Sequence, residues 1–233
     1  MHAIVMAAGE GRRLRPITER WPKPLLPIDG RPVLATLLRE LASGGLTRAV
    51  VVTGHLAEQV EELAGDGSGY GLEVRTVRQP SVLGSADAVK RALAAGAEVP
   101  CLVLAADTVF SPGDVGRFAG LFARSGAAGA MSGRRDPPAE FPHRTALKIV
   151  DGLVVEPIDR DPANPVGSAP MWALGPELLP FLDELPGPPF ELGVAFERAI
   201  AAGLPIAGFE IGETRDLTFP IDLVKENVSY LDS

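Results

Sequence analysis

The sequence predicts a single α/β domain, in which a mainly parallel mixed sheet lies between helices in three layers. Three observations predict it. Up to residue 131, short apolar runs of strand length alternate with segments of helical period, the pattern of strand–helix–strand units. Runs such as 101–106 are apolar throughout, as strands covered on both faces are. No linker-like stretch divides the 233 residues, and 46% hydrophobic content is enough for one sizeable core.

The elements follow in order. Residues 2–6 form an apolar run stopped by Ala7-Ala8-Gly9, the first buried strand. Val33, Leu34, Leu37, Leu38 and Leu41 recur at helical spacing, and Gly44-Gly45 closes that helix. Next come a strand at 49–53, a helix near 56–63, a strand at 72–77 and a helix at 85–95. A strand at 101–106, a helix at 118–124 and a strand at 127–131 complete the alternation. Residues 133–170 are richer in Pro and Gly and read as an insertion lining one side of a pocket. Within them, runs 146–150 and 153–158 flank Asp151-Gly152, a hairpin signal. Helices near 176–182 and 191–202, a strand at 206–211 and a helix from about Pro220 end the chain.

A net charge of -8 argues against polymeric nucleic acid and membrane surfaces as partners. Within that acidic chain, residues 10–23 hold Arg12, Arg13, Arg15, Arg20 and Lys23 against Glu10 and Glu19. Such a basic island suits a small anion. Cys101 is the only cysteine and sits in an apolar run, so neither a disulfide nor a thiolate metal site is expected. His2, His55 and His143 have no zinc-type spacing. No apolar stretch approaches the ~20 residues of a membrane span, and a cytoplasmic enzyme is the expectation.

After the first strand comes Ala7-Ala8-Gly9-Glu10-Gly11-Arg12-Arg13-Leu14-Arg15-Pro16. Glycines let backbone N–H groups approach phosphate oxygens, and arginines neutralise their charge. Gly-x-Gly by itself also fits an ordinary strand-to-helix turn. No Gly-Lys-Ser/Thr follows, which excludes a Walker-A loop. The next segment, Trp21-Pro22-Lys23-Pro24-Leu25-Leu26-Pro27, sets a lysine between two prolines that fix the backbone. Stiffening alone does not call for a lysine there; rigid presentation of a cation does.

Gly9-x-Gly11-x-Arg13-Leu14-x-Pro16-x-Thr18 followed by Pro22-Lys23-Pro24-Leu25-Leu26-Pro27 resembles the signature of the sugar-phosphate nucleotidyltransferases. That family joins thymidylyl, uridylyl or guanylyl groups to sugar 1-phosphates on a Rossmann-like domain. The resemblance is dense over residues 1–110 and thins towards 228. It implies a nucleotide-binding part at about 1–132 and an acceptor-binding part at about 133–215. It implies a nucleoside triphosphate and a small phosphorylated acceptor as partners, and Mg²⁺ as cofactor. Arg13 and Lys23 would then be catalytic, with Ala8, Gly9 and Gly11 cradling the nucleotide.

Gln79-Pro80-Ser81-Val82-Leu83-Gly84-Ser85-Ala86 resembles the family's Gln-x-x-x-Leu-Gly-Thr-Ala segment, which implies that Gln79 and Gly84 bind the base. From the residues alone, Gln79 could equally be a strand-end polar group, and Gly84-Ser85 a helix cap. Asp107 ends the apolar strand 101–106, where a carboxylate suits Mg²⁺. The late segment Arg215-Asp216-Leu217-Thr218-Phe219-Pro220-Ile221-Asp222 resembles the family's second metal motif and implies Asp216 as the partner ligand, leaving Asp222 to cap a helix. By the same resemblance Asp159, Arg160 and Glu191 fall at acceptor positions. For these, an exposed ion pair and a helix cap are the plain alternatives. The sequence departs from the family at Arg12, Ala106, Ala146 and Ala169-Pro170. Pro170 cannot donate a backbone N–H, which implies a reshaped acceptor pocket.

The expected reaction transfers a nucleotidyl group from dTTP or UTP to a sugar 1-phosphate with release of pyrophosphate. A cytidylyltransferase using a non-sugar phosphate, and an inactive nucleotide-binding homologue, are the alternatives. A glycosyltransferase would want Asp-x-Asp, and Ala105-Ala106-Asp107 lacks it.

Overall fold

A computed structural model describes residues 1–135, 145–161 and 163–231. Part of the 133–170 insertion, with His143, lies outside the described residues. In chain order the first half holds β1 (His2–Ala7), β2 (Pro27–Ile28), β3 (Arg31–Pro32), α1 (Val33–Ser43), β4 (Arg48–Thr53) and α2 (Ala57–Ala64). It continues with β5 (Glu73–Arg78), α3 (Ser85–Ala94), β6 (Cys101–Ala105), β7 (Thr108–Phe110), α4 (Asp114–Ser125) and β8 (Gly129–Arg135). The second half holds β9 (Ala146–Val150), β10 (Leu153–Asp159), β11 (Val166–Leu174), α5 (Leu192–Ala201) and β12 (Ile206–Glu210). β13 (Thr214–Asp216), α6 (Pro220–Lys225) and α7 (Val228–Leu231) follow.

The main sheet runs β5-β4-β1-β6-β11-β8-β12-β10-β9. Its first four strands are parallel, β11 is antiparallel to both neighbours, and β12 is parallel to β8. The sheet is therefore mixed, with its parallel half at the N-terminal side. Strand alternation sends Ala3 and Val5 to one face, where they pack with Leu34, Leu38, Leu41 and Phe118. Ile4 goes to the other face, with Val89, Ala92 and Phe196. These are the three layers, and each fully buried Leu or Phe contributes about 1.5–3 kcal/mol. A third, smaller cluster of Leu14, Leu26, Ile28, Val33 and Leu217 lies beneath the glycine-rich loop. It fastens three separate chain segments at one end of the sheet.

The hairpin expected at Asp151-Gly152 forms, with φ of 51° and 78°, the left-handed pair of a tight two-residue turn. The short strands β2, β3, β7 and β13 are not in the sequence pattern, and two longer elements differ from it. Residues Pro176–Leu182 form a 3₁₀ rather than an α-helix; Pro180 inside it supplies no N–H for an α-helical bond. Central strand β11 is not legible in the pattern, since it contains Gly167 and Pro170. The register against β8 jumps between Ala169 and Trp172, so Pro170 falls at a bulge. The buried Ser132 hydroxyl lies 3.1 Å from Ala169 O and 2.8 Å from Met171 O, and so serves the interrupted ladder.

Candidate active site

The chain builds β1, β4 and β5 outwards in one direction, then places β6 on the other side of β1. At such a switch point the loops after neighbouring strands diverge and leave a crevice at their carboxyl ends. A cavity of about 320 Å³ opens there, walled by the ends of β1 and β6, the glycine-rich loop, Lys23 and the Leu217-Thr218 peptide.

The loop's shape follows from its residues. Gly11 has φ of 60°, and a Cβ there would come within 2.9 Å of the Thr18 methyl. A Cβ at Gly9 would meet nothing within 4 Å. Gly11 is therefore required by the turn, and Gly9 leaves the cavity wall open. Behind the loop, Thr18 Oγ1 donates to Gly11 O (3.0 Å), and His55 Nε2 lies 2.6 Å from Thr18 O. His55 N also donates to Ala8 O at 3.3 Å. Ala8 is thus an anchor of the loop, outside the cavity wall. The supporting pair Thr18 and His55 escapes sequence reasoning, because nothing in spacing links positions 37 residues apart.

Three arginines enter this loop with different commitments. Arg12 and Arg15 both pair with Glu10, at 2.7 and 3.3 Å, and the Arg12 guanidinium holds the Glu10 carboxyl below its usual range. Arg13 lines the cavity and pairs with no carboxylate among the described residues. It is the arginine left for an incoming anion. Lys23, held in a short 3₁₀ turn between its prolines, places Nζ 2.6 Å from Asp107 Oδ2. Lys23 and Asp107 read as separate devices in the sequence; the structure joins them in one ion pair on the cavity wall.

Asp216 is brought next to this corner by a two-stranded ribbon, although it is not itself among the residues that line the cavity. β13 pairs antiparallel with β7, with Asp216 opposite Thr108, the residue after Asp107. Thr218 Oγ1 donates to Asp216 Oδ1 at 2.9 Å. Asp222 accepts from the backbone N–H of Thr218 and Phe219 at 3.0 and 2.7 Å, the capping role expected of it. Among the described residues no group of three or more metal-ligating side chains occurs. Two carboxylates on adjoining strand ends nevertheless fit Mg²⁺, which commonly takes one or two carboxylates and fills its octahedron with phosphate oxygens and water.

The remaining expected residues lie outside this wall. Gln79 continues β5, with its N–H donating to Thr53 O at 2.7 Å. Its buried side chain donates from Nε2 to Gly84 O (3.1 Å) and Asp87 Oδ2 (2.8 Å). Gly84 has φ of 101°, and a Cβ there would lie 2.4 Å from Phe190 O. Its immediate neighbour is thus the Phe190 backbone, which bonds to Leu83 O and Ala86 N. Gly84→Ala should therefore cost about 2 kcal/mol or more from the φ alone, before any clash. Urea unfolding monitored by circular dichroism checks this; an unchanged midpoint would contradict it. Ser85 Oγ accepts from Leu192 N (2.7 Å) and donates to Glu191 Oε2 (2.6 Å). Ser85 thereby supplies the side-chain cap of α5; Glu191 stands at the N-cap position without a capping side-chain bond and does not line the 320 Å³ cavity.

Asp159 is buried and accepts from Asp161 N (2.9 Å) and Asn164 Nδ2 (2.7 Å). Those bonds hold its carboxyl below the usual range. It shapes a turn on a separate cavity of about 450 Å³. Arg160 is exposed and forms no ion pair with a described residue, so the Asp159–Arg160 surface pair is not made. Ala146 stands opposite both Asp159 and Gly167, which ties β9 to the head of β11.

A glycine-rich loop, an arginine without a carboxylate partner and the Lys23–Asp107 ion pair surround one cavity at a switch point, an α/β arrangement suited to anionic groups. Its particular family is given by sequence: residues 2–141 match the family described as nucleotidyl transferase, and the chain belongs to it. The N-acetylmuramate alpha-1-phosphate uridylyltransferase of Neisseria meningitidis is 36% identical over 110 residues, covering 47% of this chain and 48% of the relative. A CMP-5'-(3-aminopropyl)phosphonate synthase of Streptomyces rubellomurinus is 48% identical over 80 residues, covering 34% of this chain and 13% of the relative. The chain thus spans about half or less of the curated relatives it matches. In three dimensions it resembles the UDP-glucose pyrophosphorylase from Acinetobacter baumanii, with a TM-score of 0.82 and 17% identity over 98% of this chain and 92% of that one. At that identity the likeness concerns the fold. No described helix is long and apolar enough to cross a membrane.

Proposed function

We propose that this chain transfers a nucleotidyl group from UTP or dTTP to a sugar 1-phosphate, with Mg²⁺ as cofactor. The observation that carries the reading is the convergence of uncommitted Arg13, Lys23 and Asp107 on one cavity at the sheet's switch point. An oxygen of the acceptor phosphate attacks the α-phosphorus, and the bond from that phosphorus to the bridging oxygen breaks as pyrophosphate leaves. A phosphate nucleophile is already ionised near neutral pH, so positioning and charge neutralisation do most of the work. Arg13 binds the triphosphate through paired guanidinium N–H groups. Lys23 faces the charge that builds on the transferred phosphate. Asp107 and Asp216 hold Mg²⁺, which when bound neutralises phosphate oxygens and orients the reacting groups. Gln79 contacts the base. Arg160 takes the acceptor phosphate, presented by the turn that Asp159 stabilises.

A second reading is favoured by the 48% identity to the phosphonate synthase: cytidylyl transfer to a non-sugar acceptor. A pyrophosphate-release screen of the common nucleoside triphosphates against sugar 1-phosphates and amino-alcohol phosphates separates the two. Release with UTP or dTTP and a sugar 1-phosphate is expected. Release confined to CTP and a non-sugar acceptor would replace the first reading with the second, and silence with every pair would remove both.

A further inference from the structure

Gln79 lies at the carboxyl end of β5, on the same edge of the parallel strands as the cavity, and is 4% exposed. A neutral amide offers two N–H donors and one acceptor oxygen. Both donors are spent, on Gly84 O at 3.1 Å and on Asp87 Oδ2 at 2.8 Å. Those two partners are acceptors only, so the amide nitrogen must face them and the amide cannot be turned round without setting oxygen against oxygen. Asp87 is itself gripped by Arg91 Nε at 2.7 Å, one helical turn on. Burial works to raise the Asp87 carboxyl, and the bonds from Arg91 and Gln79 outweigh it, so the group stays a carboxylate. Gln79 Oε1 accepts from no described residue. Nor is it a fully enclosed polar atom lacking a partner, since among the described residues only Gln59 Oε1 is. Gln79 therefore shows its surroundings a single, oriented acceptor.

We propose that Asp87 is a specificity-positioning residue: by holding the Gln79 nitrogen inward it leaves Oε1 to select bases that present a ring N–H, namely uracil, thymine and guanine, against cytosine and adenine. This rests on the reading of Gln79 as the base contact. A ring nitrogen with a lone pair meets Oε1 as acceptor against acceptor, and a polar pair left without its bond discriminates strongly. Asp87 acts only through Gln79 and touches no substrate.

The test is calorimetric titration of UTP and CTP with Mg²⁺, without acceptor, into wild type, Asp87→Ala, Asp87→Asn, Arg91→Gln and Gln79→Ala. Wild type should bind UTP about tenfold or more tightly than CTP. Asp87→Ala frees the amide to turn, and the UTP/CTP ratio should fall to within about threefold. Asp87→Asn keeps a carbonyl for Gln79 and should restore most of the ratio, which a merely structural role would not require. Arg91 is partly exposed, so Arg91→Gln provides a well-folded intermediate with a smaller loss. A ratio unchanged in both Asp87→Ala and Arg91→Gln would overturn the assignment, as would wild type binding CTP as tightly as UTP. If Gln79→Ala leaves every affinity unchanged, the base-contact reading itself fails, an outcome distinct from a failure at Asp87 alone.

Discussion

Asp107→Asn and Asp216→Asn should each lower kcat by on the order of 10³-fold or more, with the fold intact. Both changes keep size and hydrogen-bonding shape while removing charge. The amide oxygen introduced by Asp216→Asn could still accept from Thr218 Oγ1, as the carboxylate does at 2.9 Å, so loss of activity would report the charge and not the ribbon. Asp107 carries a second consequence. Its carboxylate faces Lys23 Nζ at 2.6 Å, and neutralising it releases the lysine as well as weakening any cation site. Added Mg²⁺ or Mn²⁺ should therefore recover part of the activity in Asp216→Asn and less in Asp107→Asn. The comparison variant is Asp222→Asn. That carboxylate is spent on the backbone N–H groups of Thr218 and Phe219 that it caps, so its loss should cost about 0.5–2 kcal/mol of stability and little turnover. The reverse pattern, with Asp216→Asn active and Asp222→Asn dead, would move the second ligand of the late acidic motif to Asp222. Initial rates of pyrophosphate release against Mg²⁺ concentration decide it.

How far such a site can be read from sequence depends on how local its parts are. The glycine-rich loop and Lys23 lie within one short stretch, Gly9 to Lys23, and prolines and glycines fix backbone geometry wherever they fall. Asp107 is legible because a buried apolar strand stops at it. Asp216 is not legible from pattern: the strand that carries it is three residues long, too short for a period of two to register. Only the family resemblance points there, and the β7–β13 ribbon supplies the physical reason. Gly84 shows the opposite case. A glycine there does signal close approach, but the nearby partner is the Phe190 backbone, far along the chain, and no local signal names a partner at that distance. Asp87 belongs to the same class, since a carboxylate in the first turn of a helix is ordinary until the structure shows Gln79 against it. Strand β11 is hidden by Pro170, which argues against a central strand unless a bulge absorbs it.

Lys23→Ala should lower kcat by about 10²–10³-fold while weakening nucleotide binding much less. The reasoning starts from what holds the ammonium. Lys23 is only 18% exposed, its backbone is set by Pro22 and Pro24, and its carboxylate partner is Asp107. A partly buried ion pair of this kind contributes little net stability, because desolvation offsets most of the attraction. Its value lies in keeping a cation at a fixed place on the cavity wall. With a triphosphate in the cavity, the same ammonium is attracted to phosphate oxygens, and it gains most where negative charge is greatest, on the α-phosphate during transfer. A contact that strengthens in the transition state appears in kcat, whereas one that is equally strong in the bound ground state appears in KM. Lys23→Arg keeps the charge but spreads it over a planar fork that cannot occupy the same point, so it should recover only part of the rate. If Lys23→Ala raises KM for the nucleotide with kcat unchanged, the lysine acts in ground-state binding, and charge stabilisation during transfer would fall to Arg13 and to any cation bound at Asp107 and Asp216.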